Sequence, residues 1–264
     1  MRVVLLSDHP DDMLTEAVSE RQHQVDSQEA ALNAAVQDRD GARARRRWWT
    51  WLRLTFHARR ERRELARLRV FSRVPTNKES AIRAGRDAER QVAANLERAL
   101  DGEWTLFRGY RNRRGEIDGL LLGPSGLFAY EVKYLNGTVY ISGDEWQSER
   151  FDRYGNLVKP RAPLRDRGGR SPSGQLNDPA NALGEWLGQR GQRVAITSVV
   201  LLVHERSRIG GVRHPTALVA TSVDGLLRLT GESTVNLGAG RRAAIEKIIR
   251  DDHRHFAQRE RRAR

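Results

Sequence analysis

The most informative stretch of the chain is RGEIDGLLLGPSGLFAYEVKYLNG, Arg114 to Gly137. Its two strongly apolar runs flank a Gly-Pro-Ser-Gly turn. This pattern predicts a β-hairpin whose two strands lie in the protein core. Asp118, Glu131 and Lys133 nevertheless stand among leucines and aromatic residues. A charged side chain in a core needs a partner that satisfies it. The hairpin therefore predicts either a buried ion pair or a functional site.

Counting outward from the turn predicts which residues of the hairpin oppose one another. The predicted pairs are Leu122 with Leu127, Leu120 with Ala129, and Asp118 with Glu131. The two carboxylates would then have Cβ atoms about 5 Å apart, with Lys133 on the same face. Because opposed like charges destabilise a sheet, a proton or a divalent cation such as Mg²⁺ is expected between them. An ordinary salt bridge between Lys133 and Glu131, and a bulge that shifts the register, remain open as alternatives.

The composition favours an anionic partner and excludes cysteine chemistry. The chain has 264 residues, a formal net charge of +13 and no cysteine. This charge indicates nucleic acid first and an anionic membrane second, although a solvated arginine-rich surface also explains it. The amino-terminal segment lacks the pattern of a signal peptide, and the apolar run Trp48–Phe56 is too short to span a bilayer. We therefore expect a cytoplasmic protein.

Lysine is rare in this chain, which makes each position informative. The lysines are Lys78, Lys133, Lys159 and Lys247, against a large excess of arginine. A lysine can release its proton when its pKa is lowered, whereas an arginine effectively cannot. The lysine beside Glu131 is therefore a candidate for a chemical role.

The first 74 residues are predicted to form a helical extension. Within residues 11–40, four apolar side chains near heptad spacing indicate a weak coiled coil or a long solvated helix: Leu14, Val18, Val25 and Leu32. The basic and aromatic block Arg43–Arg69 follows. It has three interpretations: a nucleic-acid arm, a membrane-surface helix, or a helix that docks its tryptophans on the main domain. We favour docking, because exposed tryptophans would form a sticky patch.

A capping pattern predicts the next helix. Pro75 precedes the sequence TNKE of Thr76–Glu79, which fits a capping box, and the helix is predicted to run to about Leu100. Glu89 lies on the inward apolar stripe of this helix, three residues before Val92. An inward carboxylate needs a partner, and a salt bridge to an arginine satisfies it as well as a functional site does.

The rest of the chain alternates predicted strands and helices, which indicates an α/β or α+β fold. The predicted elements are short strands with turns at Ser142-Gly143 and Tyr154–Asn156, a polar loop over Pro160–Gly174, a helix starting at Ser171-Pro172 or Asp178-Pro179, a strand buried on both faces within Val194–Glu205, a strand over Thr216–Thr221, and a basic amphipathic helix from Arg241. The last helix contains DDHRHF, Asp251 to Phe256, whose metal-capable side chains we assign to a solvated face.

Three ordered blocks of the sequence resemble a known family. They are AGRDAERQVAANL, GEIDGLLLGPSGLFAYEVKYLNGTVY and SPSGQLNDPANALGEWL. Together they resemble the nuclease-related domain, NERD, of the PD-(D/E)XK nuclease superfamily, and the resemblance runs from Ala81 to Leu229. It implies a restriction-endonuclease-like fold, in which helices flank a mixed central sheet and the carboxylates project from a central hairpin.

The resemblance also implies roles for individual residues. Its five catalytic candidates are Glu89 as the acid on the helix, Asp118 and Glu131 as metal-binding carboxylates, Lys133 as the catalytic lysine, and Gln175 as the glutamine of the third block. The chain departs from the pattern at two places. Ile117 stands where the superfamily has a proline before the aspartate, and Pro179 falls inside the expected second helix.

These residue types lead to the main hypothesis, a Mg²⁺-dependent nuclease that acts on DNA, with Mn²⁺ as a substitute ion. The carbonyl of Val132 would join the two carboxylates in holding Mg²⁺, and Lys133 would position water or stabilise developing charge. Three arginines before the hairpin would grip the nucleic-acid backbone: Arg111, Arg113 and Arg114. The alternatives are a non-catalytic module that retains the fold and binds nucleic acid or a protein partner, and a membrane-surface adaptor.

We divide the chain into three predicted segments. Residues 1–74 form the helical, weakly coiled-coil extension, residues 75–232 the NERD-like nuclease domain, and residues 233–264 a basic carboxyl-terminal helix. The helix in the first segment is a candidate for homo-oligomerisation or for binding a protein partner.

Overall fold

The computed structural model describes residues 1–7, 9–72 and 76–263 of the chain. The helices are α1 (His9–Ala44), α2 (Trp48–Ser72), α3 (Asn77–Ala99), α4 (Pro172–Gln189), α5 (Val223–Gly231) and α6 (Ala239–Ala263). The strands are β1 (Arg2–Leu5), β2 (Thr105–Asn112), β3 (Gly115–Gly123), β4 (Gly126–Lys133), β5 (Thr138–Ser142), β6 (Glu145–Phe151), β7 (Leu157–Pro163), β8 (Ile196–Leu202), β9 (Arg208–Arg213) and β10 (Leu218–Ala220). Amino-terminal helices followed by mixed sheets with flanking helices confirm the predicted fold class.

The chain divides into two compact units. One consists of Met1–His9 and Gly85–Arg264, and the other of Pro10–Ala84. The predicted boundary at Pro75 lies outside the described residues. Among the helices that the structure describes, none combines the length and apolarity needed to cross a membrane.

The larger unit is built on a six-stranded mixed sheet in the order β1-β2-β3-β4-β8-β10. Strands β2, β3 and β4 are antiparallel neighbours, whereas β1, β8 and β10 each pair in parallel. Apolar side chains pack on both faces of the sheet, against α4 and α6 on one side and against α3 and α5 on the other. Because β4 and β8 are covered on both faces, their sequences are nearly continuously apolar.

The central hairpin has the predicted register over most of its length. Leu122 pairs with Leu127 and Leu120 with Ala129, as expected from counting outward from the turn. These leucines are almost completely buried, and each stabilises the fold by about 1.5–3 kcal/mol relative to an exposed side chain. The ladder ends at the pair Gly119–Tyr130, one position before Asp118 and Glu131. The two carboxylates therefore lie where the strands stop pairing.

A second sheet of four strands, in the order β7-β6-β5-β9, follows the central hairpin. The predicted turns lie between β5 and β6 and between β6 and β7, with positive φ angles of 59° at Gly143 and 86° at Gly155. Strand β7 continues to Pro163 through a segment predicted as loop. Prolines are tolerated there because β7 is an edge strand. Strand β9 and helix α5 were not predicted.

Helix α4 begins at the first of its two predicted starts. The Ser171 side chain caps it by accepting a hydrogen bond from the Gly174 amide at 2.9 Å, and Pro172 occupies the first turn. Pro179 lies inside the helix, so the second predicted start is wrong. The side-chain amide of Asn112 donates to the Pro179 carbonyl at 2.9 Å, which ties this part of α4 to the end of β2.

The assignment of DDHRHF to a solvated face is wrong for two of its residues. His253 is buried, and its Nδ1 accepts a hydrogen bond from the Arg111 amide at 3.1 Å. Asp252 accepts a hydrogen bond from the hydroxyl of the buried Tyr110. Helix α6 therefore docks on the end of β2 through polar contacts, which a periodicity of apolar residues does not reveal.

The smaller unit contains α1, α2 and the beginning of α3. Side-chain contacts join α1 to α2, from Gln28 to Glu61 at 2.6 Å and from Arg69 to Glu29. The capping box that opens α3 is confirmed, since the Glu79 amide donates to the Thr76 hydroxyl at 3.1 Å and the Glu79 carboxylate accepts from the Thr76 amide at 3.4 Å.

Candidate active site

At the end of the central hairpin, the Asp118 carboxylate is hydrogen-bonded to the backbone of β4. Oδ2 of Asp118 accepts a hydrogen bond of 2.7 Å from the amide of Val132. The Asp118 side chain thus accepts the amide hydrogen bond that a backbone carbonyl of β3 would accept if the β3–β4 pairing continued. This hydrogen bond holds Asp118 beside the end of β4, immediately next to Glu131 and Lys133.

Lys133 links two further predicted site residues. Its ammonium donates to Oε1 of Glu131 at 2.7 Å and to Oε1 of Gln175 at 2.8 Å. Glu131 is buried, and the Lys133 side chain is 25% exposed. Both side chains are on the same face of β4, as predicted from their spacing. The contact to Gln175 brings the first turn of α4 to the end of the central hairpin.

The amino-terminal end of α4 is fixed by a network of hydroxyl groups. Oδ1 of Asp144, in the β5–β6 turn, accepts hydrogen bonds from Ser171 at 2.7 Å and from Ser173 at 2.6 Å. The indole of the buried Trp146 donates to the Ser173 hydroxyl at 2.8 Å. Since Gln175 is in the same helical turn, this network sets the position from which its amide reaches Lys133. No sequence pattern singled out Asp144.

The electrostatics of the site are dominated by its carboxylates. Burial, followed by the charges of Glu131 and Glu89, raises the pKa of Asp118 well above its usual range, against the opposing effects of Lys133 and the Val132 amide. Burial acts to lower the pKa of Lys133, but Glu131 and Asp118 outweigh it and raise that pKa above its ordinary value. Lys133 is therefore a fixed positive charge at neutral pH and not a base.

Glu89 reaches the same site from the other side of the sheet. It lies on α3, where its neighbours Ala88 and Val92 are buried in the core. The Glu89 carboxylate acts on Asp118 and also raises the pKa of the buried Tyr130, after the larger effects of burial and of Asp118. Hydrogen bonds and electrostatic interactions thus connect the five catalytic candidates of the sequence.

The three predicted nucleic-acid contacts differ in their surroundings. Arg113 and Arg114 are exposed in the turn between β2 and β3. Arg113 forms an exposed ion pair with Glu185 at 3.3 Å, and the Arg114 carbonyl accepts a hydrogen bond from Arg170 at 3.2 Å. Arg111 is only partly exposed, and its backbone contacts His253. Arg113 and Arg114 are therefore better placed than Arg111 to meet a ligand in solution.

Asp166 is a third acidic group that acts on Lys133, and sequence reasoning missed it. Its charge contributes to the raised pKa of Lys133, after the stronger effects of Glu131 and Asp118. Arg170 holds the Asp166 carboxylate, at 2.8 Å through its amide and at 3.1 Å through its Nε. The spacing of Asp166 and Arg170 around two glycines indicates a tight turn. Only the fold shows that Asp166 in this turn acts on Lys133.

The β6–β7 hairpin carries an exposed set of basic and aromatic side chains. Its exposed members are Arg150, Phe151, Arg153, Tyr154, Lys159 and Arg161. The Arg153 guanidinium lies over the Tyr154 ring at 4.6 Å, and Asp152 orders the turn by accepting the Asn156 amide at 2.9 Å. The loop that follows β7 leads to Asp166. The hairpin therefore directly precedes in the chain the loop that contains Asp166.

The oxygen donors of the cluster fit a hard divalent cation. Glu131 is close enough to Asp118 for its charge to raise the pKa of Asp118, and a cation would relieve this repulsion. Within residues 1–7, 9–72 and 76–263, no group of three or more His, Cys, Asp or Glu side chains is arranged to hold a metal ion. The two carboxylates match the ligands of an ion such as Mg²⁺, which binds to one or two carboxylates and retains waters.

The mixed sheet thus gathers carboxylates, a lysine and a glutamine at the end of its central hairpin. The family model described as the nuclease-related domain, NERD, matches residues 84–203. This part of the chain is a NERD domain, and it contains all five catalytic candidates. None of the curated proteins or solved structures compared with the chain gave a match.

Proposed function

We propose that the protein is a Mg²⁺-dependent nuclease that hydrolyses phosphodiester bonds in DNA through a PD-(D/E)XK-type site. One observation supports this most strongly. The Lys133 ammonium lies 2.7 Å from Glu131 and 2.8 Å from Gln175, while Asp118 is bonded to the intervening residue Val132. Two carboxylates and a fixed cation at one point are the groups that phosphodiester hydrolysis requires.

The proposed ion would be held by Asp118, Glu131 and the carbonyl of Val132, with Mn²⁺ as a substitute. When bound, such an ion supplies a Lewis acid that polarises the phosphate and makes a coordinated water more acidic. Glu89 is the further carboxylate on this side of the site, and we assign to it the binding of water at the metal. These roles agree with the charges of Glu131 and Glu89, which raise the pKa of Asp118 after the larger effect of burial.

Lys133 provides positive charge where negative charge develops on the phosphate. Its raised pKa keeps it protonated at neutral pH, so in the proposal it donates hydrogen bonds and accepts no proton. Gln175 accepts one of the lysine's hydrogen bonds and thereby orients the ammonium. In this scheme Gln175 is a positioning residue, and the fixed direction of the ammonium supplies preorganised charge stabilisation.

The surroundings of the site support a nucleic-acid substrate. The β2–β3 turn carries Arg113 and Arg114, and the β6–β7 hairpin carries the basic and aromatic set described above. Arginine binds phosphate oxygens, and exposed aromatic rings stack on bases. We assign these two elements to contacts with the backbone and bases on either side of the scissile phosphate.

The direct test is a cleavage assay with labelled DNA and RNA in Mg²⁺, Mn²⁺ or EDTA. We expect the wild-type protein to cleave DNA with either ion and to be inactive in EDTA. Asp118→Asn and Glu131→Gln should each abolish cleavage while leaving the melting temperature close to that of the wild type. Full activity in either variant would contradict the assignment of the carboxylates.

A matched control is Glu205→Gln, which neutralises a carboxylate that is 80% exposed outside the cluster. It should cleave DNA like the wild type. The alternative function, a non-catalytic binding module, predicts that the wild-type protein binds DNA but never cleaves it under any of these conditions. Cleavage of RNA in preference to DNA would support the proposed nuclease activity but show that RNA is the substrate.

A further inference from the structure

Helix α2 presents large apolar side chains to solvent. The exposed fractions are 70% for Trp48, 87% for Trp49, 45% for Leu52 and 63% for Phe56. These positions follow one another at spacings of one, three and four residues, so they share one face of the helix. The strip they form, called here the tryptophan strip, extends over about 12 Å of helix length.

The opposite side of α2 explains why the helix does not need these residues for folding. Ala58 and Leu65 are buried, and they lie about half a turn away from the tryptophan strip. The helix therefore already has a buried apolar face. Large apolar groups that remain exposed beside a satisfied packing face indicate a surface that binds something else.

The segment that carries the strip has only positive formal charges of its own. Residues 43–60 contain no aspartate or glutamate and seven arginines: Arg43, Arg45, Arg46, Arg47, Arg53, Arg59 and Arg60. Arg60 forms an ion pair with Glu64 in the next turn, at 3.4 Å. The strip is thus an apolar surface within a cationic segment, which requires a partner that is both apolar and anionic.

We infer that the tryptophan strip binds the surface of an anionic lipid bilayer. Tryptophan prefers the boundary between acyl chains and headgroups, and leucine and phenylalanine gain from contact with acyl chains, while arginines reach lipid phosphates. This surface belongs to α2 alone and does not depend on the proposed nuclease activity. Binding places α2 in the plane of the interface with the strip toward the lipid.

Two other partners fit the strip less well. A nucleic acid stacks on aromatic rings but provides no apolar phase for Leu52. A second copy of the same strip would bring the seven arginines of each copy together, and like charges in close contact destabilise an interface. The combination of aliphatic, aromatic and arginine side chains is that of interfacial membrane helices.

The test is co-sedimentation of the full-length protein with two kinds of vesicle. One is phosphatidylcholine alone, and the other contains about a quarter phosphatidylglycerol, which supplies the negative surface potential. We expect sedimentation with the anionic vesicles, weak sedimentation with neutral ones, and weaker binding as salt is raised. Tryptophan fluorescence should shift to shorter wavelength on binding, because the rings leave water.

The decisive variant is Trp48→Ser with Trp49→Ser, which should lower the vesicle partition coefficient by at least about tenfold. A matched control is Ile209→Ser with Val212→Ser, which removes two exposed apolar side chains of β9, each 41% exposed. The control should sediment like the wild type. Circular dichroism should show helix content unchanged in both variants, because the replaced side chains are exposed.

Three outcomes would overturn the inference. They are no sedimentation of the wild type with anionic vesicles, equal sedimentation with neutral vesicles, and wild-type sedimentation of the tryptophan variant. A loss of DNA affinity in that variant, without any vesicle binding by the wild type, would assign the strip to nucleic acid. A concentration-dependent dimer that the variant abolishes, again without vesicle binding, would assign it to self-association.

Discussion

At the scale of single residues, the site depends on backbone geometry as much as on charged groups. Asp118 reaches the Val132 amide because the hairpin ladder has ended one residue before it, at Gly119 and Tyr130. The Tyr130 ring lies directly over Gly119, where a Cβ atom would come within 2.1 Å of the ring. The absence of a side chain at Gly119 therefore allows the aromatic packing that borders Asp118.

This packing predicts the effect of Gly119→Ala. The added methyl group cannot be accommodated without moving the buried Tyr130, so we expect a loss of about 3 kcal/mol in the free energy of unfolding. Chemical denaturation measures the change. The control is Gly188→Ala in α4, where no atom lies within 4 Å of the added Cβ and alanine favours helix. Equal stability of the two variants would mean that Tyr130 does not occupy this position.

The two contacts of Lys133 predict the effect of Lys133→Arg. A planar guanidinium cannot take the place of a compact ammonium between Glu131 and Gln175. We expect DNA affinity within about twofold of the wild type and cleavage slower by about 100-fold or more. Binding measured in EDTA and single-turnover cleavage in Mg²⁺ separate the two effects. The control is Lys159→Arg, on the exposed β7, which should cleave DNA like the wild type. If Lys133→Arg also cleaves DNA at the wild-type rate, Lys133 serves only as a structural counter-charge.

At the scale of secondary-structure elements, polar contacts decide how the flanking helices dock. Asp144 and the two serines fix the start of α4 against the β5–β6 turn. At the other end of the chain, His253 joins α6 to the amide of Arg111 in β2. The apolar stripes bring the helices to the sheet, and these contacts select the position in which Gln175 meets Lys133.

The docking of α6 predicts a dependence of stability on pH. Burial lowers the pKa of His253 below its ordinary value of 6.5, and its Nδ1 must be unprotonated to accept the Arg111 amide. The unfolded chain therefore binds a proton more readily than the folded one, so stability is lost as pH falls through about 6.5. The charged groups facing this imidazole include Asp252, which partly opposes the shift, and Arg111.

We expect the melting temperature to fall between about pH 7.5 and 5.5, and to fall less in His253→Gln. Thermal melts at a series of pH values measure the slope. His255→Gln, an exposed histidine on the same helix, should keep the wild-type slope. An identical slope in the His253 variant would show that other groups cause the acid sensitivity.

At the scale of the whole molecule, the positive charge is divided between surfaces of different composition. The β6–β7 hairpin combines arginine and lysine with isolated aromatic rings, whereas α2 combines arginine with a continuous apolar strip. A net charge of +13 alone does not distinguish the partners of these surfaces. Their composition does, because phosphate backbones require positive charge, whereas contiguous apolar side chains favour a partner with an apolar phase, such as a bilayer.

This division predicts different salt effects for two sets of charge removals. Replacing Arg150, Arg153 and Lys159 with glutamine should reduce the slope of log DNA affinity against log salt by about 2–3, because three phosphate contacts are lost. Replacing Arg53, Arg59 and Arg60 should leave that slope nearly unchanged and weaken binding to anionic vesicles. Fluorescence anisotropy with duplex DNA in EDTA measures the slopes. If the α2 replacements reduced the DNA slope and the hairpin replacements weakened vesicle binding, the partners assigned to the two surfaces would be exchanged.

The sequence by itself determined the central hairpin, its pairing from Leu122–Leu127 to Leu120–Ala129, the capping box at Thr76 and the family of residues 84–203. These features depend on residues that are close in the chain or on ordered blocks of sequence, so sequence patterns can predict them. Only the tertiary structure showed the contact of Gln175 with Lys133, the effects of Asp166 on Lys133 and of Glu89 on Asp118, and the burial of His253. Those contacts join distant segments, and their hydrogen bonds and charges leave no periodic signal in the sequence.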